Sequence, residues 1–464
     1  MATEKPATRA RVLDPATVDA VSVVGDAAVA DALVSAEVAL VRAQAALGMA
    51  PKDVADRVSD TFGWDAGEGT CRDHGIDPAA LAEAAPSSGS PVMALVAAMH
   101  GRAGDELAPW IHRGATSQDV LDTALMSLAV RAASIAAARL ETAAARLGDL
   151  ASAERDTVAV ARTLTQHAGP TTVGLRAAGW VRALRRASAR LRVAAANAPA
   201  QLAGSSGTLA SYVDLAEAAG ANGAGSPRAH DAAAALPAAF AAQLGLAAPD
   251  APWHTTRWPV TEIGDALVQA VDACGAFATD VATLVRPEIG ELTTGDDGRS
   301  TAMPHKRNPT SAVLIRSAAV RAPHLGAALH SAAALAGDER PDGPWHAEWP
   351  TLQDLLSVAL GAASLAERLA SSLGVDRARV AANVALSGGL LLSERLSIRL
   401  APVIGADGVE RIVAAVAGGA DLAEALGAEP GLEDVDIETL LDPANATGLA
   451  ARLVDEALSG EEAS

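Results

Sequence analysis

Long Ala-rich stretches, broken by Gly and Pro and nearly free of aromatic rings, restrict this chain to packed helices. Ala supplies roughly one residue in four and aromatics 2%. Ala has the highest helix propensity and lets neighbouring helices approach closely. Val and Ile sit inside Ala- and Leu-rich windows and do not alternate with polar residues, so no period-2 strand signal stands out. Half of the residues are apolar, which is ample for burial and excludes a disordered chain.

The pattern predicts an opening helical segment over 18–47, reset near Gly25, with Asp31, Glu37 and Arg42 among its apolar positions. Short helices and loops are expected over 51–89, and a helix over 91–100. Long helices are expected over 116–150, 171–198, 259–291, 310–335 and 349–373. Thr116 or Ser117 suits an N-cap, with Asp119 and Asp122 in the first turns. Helices of this length exceed the usual globular length and demand a long bundle. One this apolar also suits burial between subunits.

The formal net charge is −20, from 36 Lys+Arg against 56 Asp+Glu. That disfavours nucleic acid as a partner, because phosphate binding needs a basic face. It does not oppose a small anion held by a local cationic cluster. Cys71 and Cys274 are too few for a disulfide framework or a thiolate metal site, so a reducing cytoplasm is expected. The segment Met1–Leu13 lacks the apolar core of a secretory signal. No uninterrupted apolar run of about 18–20 residues appears, so no membrane span is expected. No spacing implies a metal or an organic cofactor.

Three segments break the Ala-rich background with dense polar residues. The first is His112-Arg113-Gly114-Ala115-Thr116-Ser117-Gln118-Asp119, followed by Asp122 and Thr123. The second runs from Arg162 to Thr172 and contains Thr163, Gln166 and His167. The third, around 295–309, has no apolar period and several turn formers, so it is expected to be a loop. It holds Ser300, Thr301, Met303, His305, Lys306 and Asn308. Lys occurs only at Lys5, Lys52 and Lys306, all other basic residues being Arg. A compact ammonium can neutralise a carboxylate or a developing enolate with a geometry that Arg does not reproduce. A Gly-rich loop carrying Ser can also close over substrate and exclude water.

The run Ser300-Thr301-Ala302-Met303-Pro304-His305-Lys306-Arg307-Asn308-Pro309 resembles the signature loop of the fumarase/aspartase superfamily, whose general form is S-S-x-M-P-x-K-x-N. The segments Thr116–Thr123 and Arg162–Thr172 resemble the first and second shared regions of that superfamily. All three occur in order, and the resemblance covers most of the chain. Within the superfamily the likeness is to the 3-carboxy-cis,cis-muconate cycloisomerase branch, which also lacks the His that fumarases, argininosuccinate lyases and adenylosuccinate lyases usually carry at the position of Leu164.

The resemblance implies an all-α, three-domain homotetramer with a long central helical bundle and shared active sites. The expected domains are 1–110, 111–374 with the loop 295–309, and 375–464. It implies addition or elimination beside a carboxylate through an enolate-type intermediate, with Ser300 as acid/base and Lys306 as its electrostatic partner. The expected reaction is cycloisomerisation of a small polycarboxylate, with elimination by a nitrosuccinate-type lyase as the alternative and a non-catalytic helical oligomer as the second. Thr116, Ser117, Thr163, Gln166 and Asn308 would hold substrate carboxylates, joined by His112, Arg113, His167, Arg257, Thr301 and Met303. Arg316, His254 and His346 are weaker candidates. The chain departs from the superfamily pattern at Arg299, where a small residue is usual, at Thr301, at Arg286-Pro287, at Ala203–Gly207 and near Gly448.

Overall fold

In the structure, a computed structural model, residues 11–220, 227–295, 297–299, 303 and 305–459 are described. Six helices set the frame: α1 (Asp26–Ala46), α2 (Ser117–Ala153), α3 (Val173–Asn197), α4 (Trp258–Leu284), α5 (Thr310–Ala334) and α6 (Pro344–Ser372). Five of them are the long helices expected from the Ala-rich windows. Helix α4 stops earlier than expected, short of Pro287, and α6 begins earlier and carries Pro350 inside it.

The chain divides into two compact units, each drawn from three segments. The first comprises Met1–Ala138, Ala187–Asp272 and Ser317–Ser364. In it α1 packs against the helices Lys52–Thr61 and Pro227–Leu244. Its core holds Leu33, Leu40, Phe62, Tyr212, Phe240 and Trp253, all under 3% exposed. Small side chains let α2 and α3 approach within this unit: Ala132, Ala133, Ala136 and Ala137 are buried, and Ser188 Oγ donates to the Ala137 carbonyl at 3.0 Å.

The second unit comprises Arg139–Arg186, Ala273–Arg316 and Leu365–Ser464. Its apolar cluster runs through Leu392, Leu396, Leu400, Ile412, Val416, Leu422 and Leu426. Trp180 stacks against Phe277 at 5.3 Å and donates its indole N–H to Asp280 at 2.8 Å.

Short strands were not expected. Strands β1 (Val158–Thr163) and β2 (Gln166–Thr172) form an antiparallel hairpin with a register shift between Val160 and Arg162. Strands β3 (Asp297–Arg299) and β4 (Arg307–Pro309) pair antiparallel. These ladders are small beside the helices, and the fold is all-α.

Helices α2 and α4 are long and apolar enough to cross a membrane by length and composition alone, a test that buried core helices also pass. The most apolar window of α2 is 72% buried within the protein, the situation of a core helix, and that of α4 is 50% buried.

Candidate active site

The first polar segment lies in the first unit and is pinned from several sides. The Thr116 N–H donates to Asp119 Oδ2 at 3.1 Å, so the carboxylate three residues along caps the start of α2. The same carboxylate accepts the backbone N–H groups of Ala203 (2.9 Å) and Gly204 (3.0 Å), and His254 Nε2 lies 3.0 Å from its Oδ1. Thr116 Oγ1 is left for other work, and it accepts a hydrogen bond from the Arg340 guanidinium, which also donates to the Ser205 carbonyl. Ser117 is half-buried beside it.

One turn further along α2, Asp122 accepts from Arg257 at 2.7 and 3.0 Å and from the Trp345 indole at 2.8 Å. The other edge of Arg257 donates to Glu348 at 2.6 Å. Arg257, expected among substrate ligands, is thus 3% exposed and engaged with two buried carboxylates. Burial and Asp122 push the Glu348 carboxyl up more strongly than Arg257 pulls it down. His112 Nδ1 donates to Glu37 Oε1 at 2.7 Å, and the Arg113 guanidinium lies over the Trp110 ring at 4.6 Å.

The second segment is the β1–β2 hairpin of the second unit. Its turn residues Leu164 and Thr165 both have positive φ, 49° and 70°. That is the conformation of a two-residue hairpin turn that usually takes Asn-Gly. Thr163, Gln166 and His167 are exposed at the tip. Behind them Arg162 donates to Glu291 at 2.5 and 3.2 Å, Arg176 donates to it at 3.3 Å, and Asn383 donates at 2.9 Å. Burial pushes the Glu291 carboxyl up, but these donors and charges outweigh it and hold the group below its ordinary value. A cavity of about 720 Å³ opens here, lined among others by Arg162, Thr165, His167, Arg176 and Arg286.

In the third segment, also in the second unit, the described residues include the β3–β4 pair and, before β4, Met303, His305 and Lys306 outside any helix. The Lys306 N–H donates to the Met303 carbonyl at 2.9 Å. Lys306 and Met303 are exposed and Asn308 is half-buried. Gly298 is required in β3, because a Cβ there would lie 2.1 Å from Thr310 Oγ1. Ser300 and Thr301 lie outside the described residues. Elsewhere, burial pushes the Cys71 and Cys274 thiols up to about 12, which removes both as nucleophiles near neutral pH.

Sequence reasoning did not single out Glu291, Glu348 or Arg340 as site-supporting residues. Their signal is tertiary: Arg340 and Thr116 are 224 positions apart.

A family model described as a lyase matches residues 19–323. The chain is 40% identical over 454 residues to a nitrosuccinate lyase of Streptomyces davaonensis, covering 95% of this chain and 92% of that one. It is 37% identical over 446 residues to a 3-carboxy-cis,cis-muconate cycloisomerase of Pseudomonas aeruginosa, covering 92% and 91%. Its fold matches the crystal structure of the 3-carboxy-cis,cis-muconate lactonizing enzyme of Pseudomonas putida with a TM-score of 0.81 and 33% identity, over 96% of each chain.

Proposed function

Because this chain belongs to the fumarase/aspartase superfamily of lyases and is an enzyme of that group, we propose that it uses Ser300 and Lys306 for addition or elimination beside a carboxylate of a small polycarboxylate. In elimination the Ser300 alkoxide takes the proton from the carbon next to the carboxylate. Lys306 and Asn308 hold that carboxylate as charge builds in the enolate-like intermediate. The leaving group then departs from the neighbouring carbon with its bonding electron pair, and the double bond forms. In lactonisation Ser300 instead delivers a proton to carbon as the substrate's own carboxylate attacks the double bond. Thr116, Ser117, Thr163 and Gln166 hold the remaining carboxylates, with His112, Arg113, His167, Thr301 and Met303 completing the site.

The observation that carries this reading is Lys306. It is one of three lysines in the chain, stands six positions after the motif serine in sequence and directly before strand β4, and has no ion pair among the described residues.

Nitrosuccinate is the first substrate to test, with nitrite leaving and fumarate remaining. The 40% identity to the Streptomyces enzyme favours it. Lactonisation of 3-carboxy-cis,cis-muconate, a step of protocatechuate breakdown, is the second reading, favoured by the cycloisomerase relatives in sequence and in fold. The working unit in this proposal is a cytoplasmic homotetramer whose sites combine the three segments from different subunits. Exposed Val313 and Val320 on α5 and the half-buried apolar window of α4 support association.

An ultraviolet assay with both substrates tests the proposal. Fumarate formed from nitrosuccinate, or loss of carboxymuconate absorbance, is the expected result, and turnover of neither contradicts it.

A further inference from the structure

Helix α1 carries two fully buried polar side chains where an apolar helix needs none. Glu37 is 0% exposed and Gln44 1%. They stand seven positions apart, two turns, and so share a face. Both reach the loop that precedes α2: Gln44 Nε2 donates to the Arg113 carbonyl at 2.8 Å, and Glu37 Oε1 accepts from His112 Nδ1 at 2.7 Å. Glu37 Oε2 is buried with no partner. A buried carboxylate with one oxygen unanswered is costly, and an apolar side chain would pack there at lower cost.

The loop is held in an unusual shape. His112 has φ +59° and Gly114 φ +83°. A Cβ on Gly114 would lie 2.8 Å from the Tyr212 ring. Strain of this kind persists where the surroundings over-determine it, and it clusters at functional sites. The His112 side chain keeps 19% of its surface exposed, and Nε2 has no partner among the described residues. It sits four positions before Thr116.

We propose that Glu37 is a positioning residue that fixes the His112 ring through Nδ1 and leaves Nε2–H to donate to a substrate carboxylate held by Thr116 and Ser117. This rests on the reading of the first segment as substrate-binding. The charged groups facing His112 are Glu37 from α1 and Asp119 from α2, both also neighbours of Tyr212 on the helix Ala210–Ala218, while Arg113 next in the chain turns over Trp110. Burial pushes the imidazole down, but the hydrogen bond and charge of Glu37, helped by the charge of Asp119, raise it overall.

The test compares Glu37→Gln, His112→Asn and the double variant in the full-length protein, with steady-state kinetics on both substrates across pH 5.5–8.5. Calorimetric binding of fumarate makes the same comparison should neither substrate turn over. Glu37→Gln should raise KM, or the fumarate Kd, about tenfold near neutral pH, the loss of one charge-assisted hydrogen bond. It should leave kcat within about twofold and move the alkaline loss of binding to lower pH. Added to His112→Asn it should change nothing further. If Glu37→Gln does not fold, Glu37→Asp replaces it, and a KM unchanged from the parent overturns the proposal. Damage by His112→Asn, with KM and pH profile untouched by Glu37→Gln, overturns this inference alone. Unchanged behaviour of His112→Asn overturns the substrate role of His112 as well.

Discussion

Arg257 grips Asp122 through two parallel hydrogen bonds, 2.7 and 3.0 Å long, with neither side chain more than 1% exposed. The far side of the same guanidinium meets Glu348. Two carboxylates and one cation share a site closed to water. Replacing Arg257 by Met leaves both acids buried without their counter-charge, a loss of about 3–5 kcal/mol. The expected outcome is a fall in melting temperature measured by circular dichroism. An unchanged melting curve would show that the acids are neutral or hydrated in the folded protein.

Glu291 gives the second unit a buried acid-sensitive contact. Its carboxyl is held below the ordinary 4.5, despite burial, by Arg162, Asn383 and Arg176. A depressed carboxyl contributes stability that is fully present above about pH 4.5 and is lost as pH falls through its lowered value. Glu291→Gln should therefore melt at lower temperature at pH 7 and show a flatter acid limb. Parallel parent and variant curves from pH 7 down to 3 would count against this.

The hairpin turn predicts a stabilising change. Leu164 and Thr165 both hold a left-handed backbone, which costs a residue with a side chain roughly 1–2 kcal/mol. Asn at 164 with Gly at 165 is the pair that this turn prefers. The double substitution should raise the melting temperature by a few degrees, less the entropy Gly loses on folding. A lower melting temperature would mean that the exposed Leu164 side chain makes contacts worth more than the strain.

The helical frame was legible because its cause is local. Ala-rich windows bounded by Gly and Pro gave the five long helices, with α4 ending before Pro287 and α6 starting at Pro344 and running through Pro350. The absence of a helix among the described residues of 295–309 was legible for the converse reason, since that segment has no apolar period, while its short strand pair was not. The β1–β2 hairpin was not legible. Its second strand, Gln166–Thr172, contains Gly169 and Pro170, and its turn lacks the Asn or Gly that signals a reversal. Arg257 looked like a ligand by type and neighbourhood. Only the fold shows Asp122 and Glu348 waiting for it, 135 and 91 positions away. Glu37 was visible as an acid among apolar positions, but its partner His112 is 75 positions distant.

The central claim is a serine-dependent reaction at the carbon beside a carboxylate, and Ser300→Ala tests it most directly. The variant should retain the parent's circular dichroism and melting temperature, bind fumarate, and lose about 10²–10⁴-fold in kcat on the substrate the parent turns over. A folded Ser300→Ala protein with the parent's kcat would contradict the account, whichever substrate proves correct.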